Sequence, residues 1–209
     1  MDIHPPDEPI HSWRDVALHL GIVTVGILIA LGLESLVEWR HHGALANEAR
    51  QNIVSELRDN RAEVSWFLKE VPGSRKQIQN ALGFTQDLAA HRKLHGTLNL
   101  VVNRSDVSDT SWTTAQAIGA LTYMRYGEVK KYGAVYELQN ELAREQTKSF
   151  TDLSSALASL DETMDAATPN DADLRLQRDR LNSLSSELLI EEQVAVALLK
   201  RYDGVLSAK

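Results

Sequence analysis

The sequence predicts an all-α protein: an N-terminal transmembrane helix that continues into a long helix, followed by an antiparallel bundle of about four long helices. Three observations predict it. Residues 16–33 hold no Asp, Glu, Lys or Arg. Apolar residues recur at spacings of three and four through most of the remaining chain, the period of a helix with one buried face. Aromatic content is 6%, with 11 Gly and 5 Pro in 209 residues, a composition that suits long helices better than turn-rich sheets. The chain accordingly divides into a polar leader (1–12), a transmembrane anchor (13–39) and a helical-bundle domain (40–209), with helices expected at about 40–71, 74–95, 112–126, 128–166 and 172–206.

The anchor is the clearest element. If Glu34 and Ser35 are admitted, the apolar run reaches Val37. That is about 33 Å of helix, against a hydrocarbon core of about 30 Å. Trp13 and Trp39 bracket the run, 26 residues apart, a separation that suits two interfacial aromatic belts. Arg14 and Arg40 stand beside them, where charged ends reach headgroups. These four residues are the expected interfacial anchors. A cleaved signal peptide fits less well: the leader is acidic (Asp2, Asp7, Glu8) and no small-x-small site follows the run. Gly26, Ala30 and Glu34 share one face at i, i+4, i+8. The small pair lets a second helix approach closely, and a carboxylate there can hydrogen-bond across a helix pair. This face is the expected helix-pairing surface; the alternative sets the small residues against lipid and Glu34 at the interface. Arg14 on one side and Arg40 and Arg50 on the other leave the side of the C-terminal domain undecided.

Beyond the anchor, Leu45, Ala49, Ile53, Leu57, Val64, Leu68 and Val71 form one stripe, with Glu48, Arg50, Glu56, Arg58, Asp59 and Glu63 opposite. Pro72-Gly73 is expected to end this helix, and Gly96 the next, whose inward residues are Ile78, Leu82 and Leu88. Segment 96–111 is the least helical in the chain and reads as an ordered loop with a short extended piece. Ser111 is a candidate N-cap for a thin, Ala-rich short helix, and Gly127 a break after it. Two long seams follow. One runs Tyr132, Tyr136, Gln139, Ala143, Gln146, Phe150, Leu153, Leu157, Leu160, Met164; the other runs Leu174, Gln177, Leu181, Leu184, Leu188, Glu191, Ala195, Leu198, Tyr202, Val205. Matching heptad seams joined by Pro169-Asn170-Asp171 predict an antiparallel hairpin.

The run 25-VGILIAL-31 followed by Glu38-Trp39-Arg40, and 111-SWTTAQAIGALTYM-124 followed by 132-YGAVYELQ-139, carry a resemblance. On these residues the chain resembles a family of bacterial single-pass inner-membrane proteins of unknown function. The resemblance implies a bacterial inner (cytoplasmic) membrane location and a helical domain, and it carries over no catalytic residue.

The chain shows little chemistry. Its net charge of −7 and the lack of any basic run exclude nucleic acid as a natural partner. Zero cysteines exclude disulfides, thiolate zinc sites and a Cys nucleophile. No phosphate-loop, dinucleotide, nucleophile-elbow or zinc-protease motif occurs. His91 and His95, four apart with Asp87 four earlier, are the nearest approach to a metal-ligand pair; a cationic helix end is the plainer account of them. Glu38 and His41 form an E-x-x-H pair whose only match, Glu8 and His11, lies in the leader. No metal or cofactor is expected. Tyr123, Tyr126, Tyr132 and Tyr136 cluster in sequence and could line a small-ligand pocket between helices, or be core residues with rim hydroxyls. The expected function is a membrane-anchored scaffold or accessory subunit, not an enzyme. Its partners would be the lipid bilayer and a protein or a second copy of the chain. A membrane-tethered sensor-type bundle binding a small ligand is the alternative.

Overall fold

The structure, a computed structural model, describes residues 13–92, 99–165 and 170–207, without the side chains of 160–165. It is all-α among the described residues. Helix α1 spans Trp13–Ala89, α2 Thr110–Ala117, α3 Tyr126–Asp165 and α4 Asp171–Leu206, with a 3-10 turn at Ala120–Tyr123 between α2 and α3. The chain divides into two units, Met1–Glu48 and Ala49–Lys209.

Pro72 does not end a helix. The two helices expected at 40–71 and 74–95 are one, and Pro72 lies inside it. The reason is burial phase. From Ala49 onward the inward positions are Ile53, Leu57, Asn60, Val64, Phe67, Val71, Ser74, Ile78, Ala81 and Thr85, all buried. Their spacing of three or four passes Pro72 unbroken. Pro72 and Gly73 are exposed, so the ring and the Leu68 carbonyl that loses its N–H partner lie on the outer side of the helix, where water can serve the carbonyl. Among the described residues there are four α-helices, of which α1, α3 and α4 are long and α2 is short.

Helices α3 and α4 pair antiparallel. Gln177 donates to the Ala156 carbonyl at 3.0 Å, Arg180 to the Ser155 carbonyl at 2.8 Å, and Lys148 lies 3.1 Å from Glu187. Asn170 caps α4, accepting from the backbone N–H of Ala172 and Asp173, both at 2.9 Å. The α4 seam is as expected from Leu174 to Tyr202, with Glu187 buried beside it and Val205 only half-buried. The α3 seam keeps Tyr132, Tyr136, Gln139, Gln146 and Leu153 buried as expected, and shifts by one position at three places between them and beyond. Leu142, Ser149 and Ala156 are buried, while Ala143, Phe150 and Leu157 are exposed. Small side chains at 149 and 156 let α4 come close enough for Gln177 to reach a mid-helix carbonyl, and a Phe or Leu there would hold it off.

Against α1 and α3 lies an extended strap, residues 99–109. Val101 N–H donates to Gln77 at 2.6 Å. Seven residues on, Ser108 both receives a hydrogen bond from Asn60 (2.7 Å) and donates one back to it (2.9 Å). From Gln77 to Asn60 along α1 is about 25 Å, which those seven residues cover only near full extension, at about 3.5 Å each. Gln139 also donates to the Ser108 carbonyl at 3.1 Å, and Ser105 donates to Gln146 at 3.3 Å. The polar members of the α3 seam are thus the rungs that hold the strap.

Candidate functional site

The anchor segment is the first candidate. Every residue from 13 to 41 is exposed, and an 18-residue window of α1 near the N-terminus has a mean hydropathy of 2.4 with none of it buried. This one helix is long and apolar enough to cross a membrane. Trp13 and Trp39 are 77% and 70% exposed, so neither serves as a core residue. Thr24 satisfies itself by donating to the Leu20 carbonyl at 2.7 Å, so its hydroxyl needs no outside partner. Gly26, Ala30 and Glu34 are exposed, and a Cβ at Gly26 would meet nothing within 4 Å. The pairing face is sterically open. Below it, His42 lies 3.9 Å from Glu38, one turn away.

The four tyrosines do not converge. Tyr126 is 82% exposed and Tyr123 is exposed, whereas Tyr132 and Tyr136 are buried. Tyr123 closes the 3-10 turn that follows Gly119, whose left-handed φ of +72° ends α2, and Tyr126 opens α3, whereas Tyr132 and Tyr136 lie on the inward face of α3. The break expected at Gly127 is instead the first turn of α3. Tyr132 alone of the four lines a cavity of about 610 Å³, with Arg50, Arg125, Gly127, Glu128 and Lys131. Its wall is an ion pair: Arg50 Nε and Nη2 grip both oxygens of Glu128, the second at 3.0 Å, and Tyr132 donates to Glu128 Oε1 at 3.2 Å. The Arg50 hydrogen bonds hold the Glu128 carboxyl below its usual range. Burial, with Glu128 alongside, pushes the Tyr132 phenol up to about 12. A second cavity of about 500 Å³ shares Lys131 and Val205 with the first and adds Lys200 and Arg201.

Glu56, expected on the solvated face of α1, is instead a hub. It accepts from the Tyr136 hydroxyl (2.7 Å), the Ser108 hydroxyl (3.0 Å) and the Ser111 backbone N–H (2.8 Å). Ser111 is therefore not the N-cap of α2. The helix begins one residue earlier, its capping position Asp109 makes no side-chain cap bond, and a carboxylate from another helix meets its N-terminal N–H groups. Trp112 stacks on Tyr136, ring centroids 5.2 Å apart, and overlies Gly133, where a Cβ would stand 3.6 Å from the indole. Segments 111–124 and 132–139 thus fold against each other. Periodicity gave no sign of Glu56; the polar Asn60, Gln139 and Gln146 at seam positions were a visible signal that something other than a helix packs there.

His91 is exposed, with a φ of +50°, just beyond the end of α1. His95 lies outside the described residues, as do Glu8 and His11. Among the described residues no group of three or more His, Asp or Glu side chains could hold a metal ion.

No family model matches the chain, and no curated protein or solved structure does either. The fold and these sites define a class: an all-α protein with one helix apt to cross a membrane and a helical unit strapped by an ordered, extended segment.

Proposed function

We propose that the chain is a single-pass protein of the bacterial inner membrane whose helical unit serves as a scaffold or accessory subunit. It acts through helix–helix contact with a protein partner or a second copy, without a catalytic centre of its own. The observation that carries this reading is the anchor segment itself. Apolar and fully exposed along its length, it costs too much in water to remain uncovered, and it presents Gly26, Ala30 and Glu34 on one open face. The Trp13/Arg14 and Trp39/Arg40 pairs support its position at the two interfaces.

The test is oligomeric state and partner retention of the full chain in mild detergent. The parent is expected as a dimer or with a bound partner, and Gly26→Ile as a monomer without it. An unchanged assembly in the variant, or a lone monomer for the parent, overturns the pairing role.

A second reading, a membrane-tethered sensor of a small ligand, is favoured by the cavity against Tyr132, whose size falls within the range of small-molecule sites.

A further inference from the structure

The two cavities that share Lys131 and Val205 concentrate charge of one sign. Arg50, Arg125, Lys131, Lys200 and Arg201 line them, against the single carboxylate of Glu128. That carboxylate is already neutralised by Arg50. The chain as a whole carries −7, so this concentration runs against its composition. Arg50 comes from α1, Arg125 from the residue just before α3, Lys131 from α3, and Lys200 and Arg201 from α4, so separate elements set them around these open volumes. The uncharged residues of the lining are Val205, Ala197, Tyr132 and two glycines, and the stems of the Lys and Arg side chains supply much of the remaining surface. A compact group of high negative charge gains most, because each oxyanion edge can meet more than one guanidinium or ammonium group.

We propose that these adjacent cavities bind phosphate oxyanions, with a diphosphate-like ligand or a phospholipid headgroup as the two sources of that chemistry. Arg125 reaches the phosphate from just before α3, Lys131 from α3, and Lys200 and Arg201 from α4. The Arg50–Glu128–Tyr132 cluster keeps the wall in place. This assignment rests on the ligand-binding reading and is independent of pairing through Gly26.

Gly127 supplies the control. It lines the first cavity, and a Cβ there would meet nothing within 4 Å. Gly127→Glu therefore places a negative charge at the site without a clash. It also improves the first turn of α3, where an acid is favoured and Gly is not. The variant should fold at least as well as the parent.

The experiment is calorimetric titration of the full chain in uncharged detergent with inorganic pyrophosphate, at constant ionic strength. In parallel, amide exchange of residues 125–131 is followed in nanodiscs of phosphatidylcholine with and without phosphatidylglycerol. Saturable pyrophosphate binding, weakened roughly tenfold or more by Gly127→Glu and by Lys131→Gln, supports a soluble phosphate ligand. Protection that appears only with phosphatidylglycerol and disappears in Gly127→Glu supports a headgroup. Neither response, or responses equal in parent and variants, overturns the site. A neutral metabolite that stabilises the parent while both phosphate probes fail would also overturn it, yet leave the ligand-binding reading standing.

Discussion

Glu191 lies at 0% exposure on the inner face of α4, and among the described residues neither carboxylate oxygen has a hydrogen bond of ordinary geometry. Across from it on α3 are Ser149, Gln146 and Glu145; Glu187 is one turn away on α4, and Arg104 of the strap lines the same small cavity. Burial raises the Glu191 carboxyl to about 7, with Glu187 and Glu145 adding to the rise and Ser149 opposing it. The sign of the pH effect follows. Below the ordinary value of 4.5, Glu191 is protonated in folded and unfolded chains alike and costs nothing. Between about 4.5 and 7 the unfolded chain releases its proton while the folded chain retains it, so stability falls. Above about 7 the loss is complete, on the order of 3 kcal/mol. Glu191→Gln, a neutral side chain of similar size, should match the parent in melting temperature near pH 4 and exceed it by several degrees at pH 8. A difference that does not grow between those values would show that Glu191 is solvated in the folded chain. Glu187 contributes a further pH dependence common to both proteins: burial and Asp152 raise it, and Lys148 opposes them.

At the scale of the element, α1 shows tertiary burial overriding a local breaker. Pro72 removes one backbone hydrogen bond and crowds the preceding turn, a cost of up to about 3 kcal/mol in a helix interior. The helix continues because Val71, Ser74 and Ile78 stay in phase with the core on both sides of it. Since Pro72 is exposed and its φ is helical, Pro72→Ala should restore the bond to Leu68 at no packing cost. Chemical denaturation of the full chain should show a gain of about 1–3 kcal/mol with an unchanged slope. A loss of stability would mean that the proline ring makes a contact the bundle needs. The strap is the counterpart. Side chains partner its backbone: Gln77 takes the Val101 N–H, Asn60 the Ser108 N–H and carbonyl, and Gln139 the same carbonyl, while Gln146 holds the Ser105 hydroxyl.

For the whole molecule, the decisive property is that one helix carries an apolar stretch of membrane length while the residues from Ala49 onward have a core of their own. The chain expressed in a bacterium is expected to stay with the membrane pellet through alkaline carbonate and to be released only by detergent. Release by carbonate or salt alone would refute the anchor. Changing Val25 and Leu28 to Lys should move the protein out of that fraction, because each charge at the centre of a membrane helix costs about 2.5–3.5 kcal/mol.

The class of fold and the apolar stretch of membrane length were legible in the residues alone, and so was nearly every inward position of α4. Hydrophobic period and run length are local properties, so they survive being read one segment at a time. The site was legible only in pieces. Tyr132 drew notice as one of four tyrosines, but its partners Arg50 and Glu128 lie 78 residues apart, and nothing in either neighbourhood announces the other. Glu56 looked like one more solvated charge until α2, α3 and the strap arrived around it. The choice between Ala143 and Leu142, or Phe150 and Ser149, turned on how closely α4 approaches. Tertiary structure decided these points because each depends on what a neighbouring element brings to the same place: a carbonyl, a cation, or the absence of a bulky side chain.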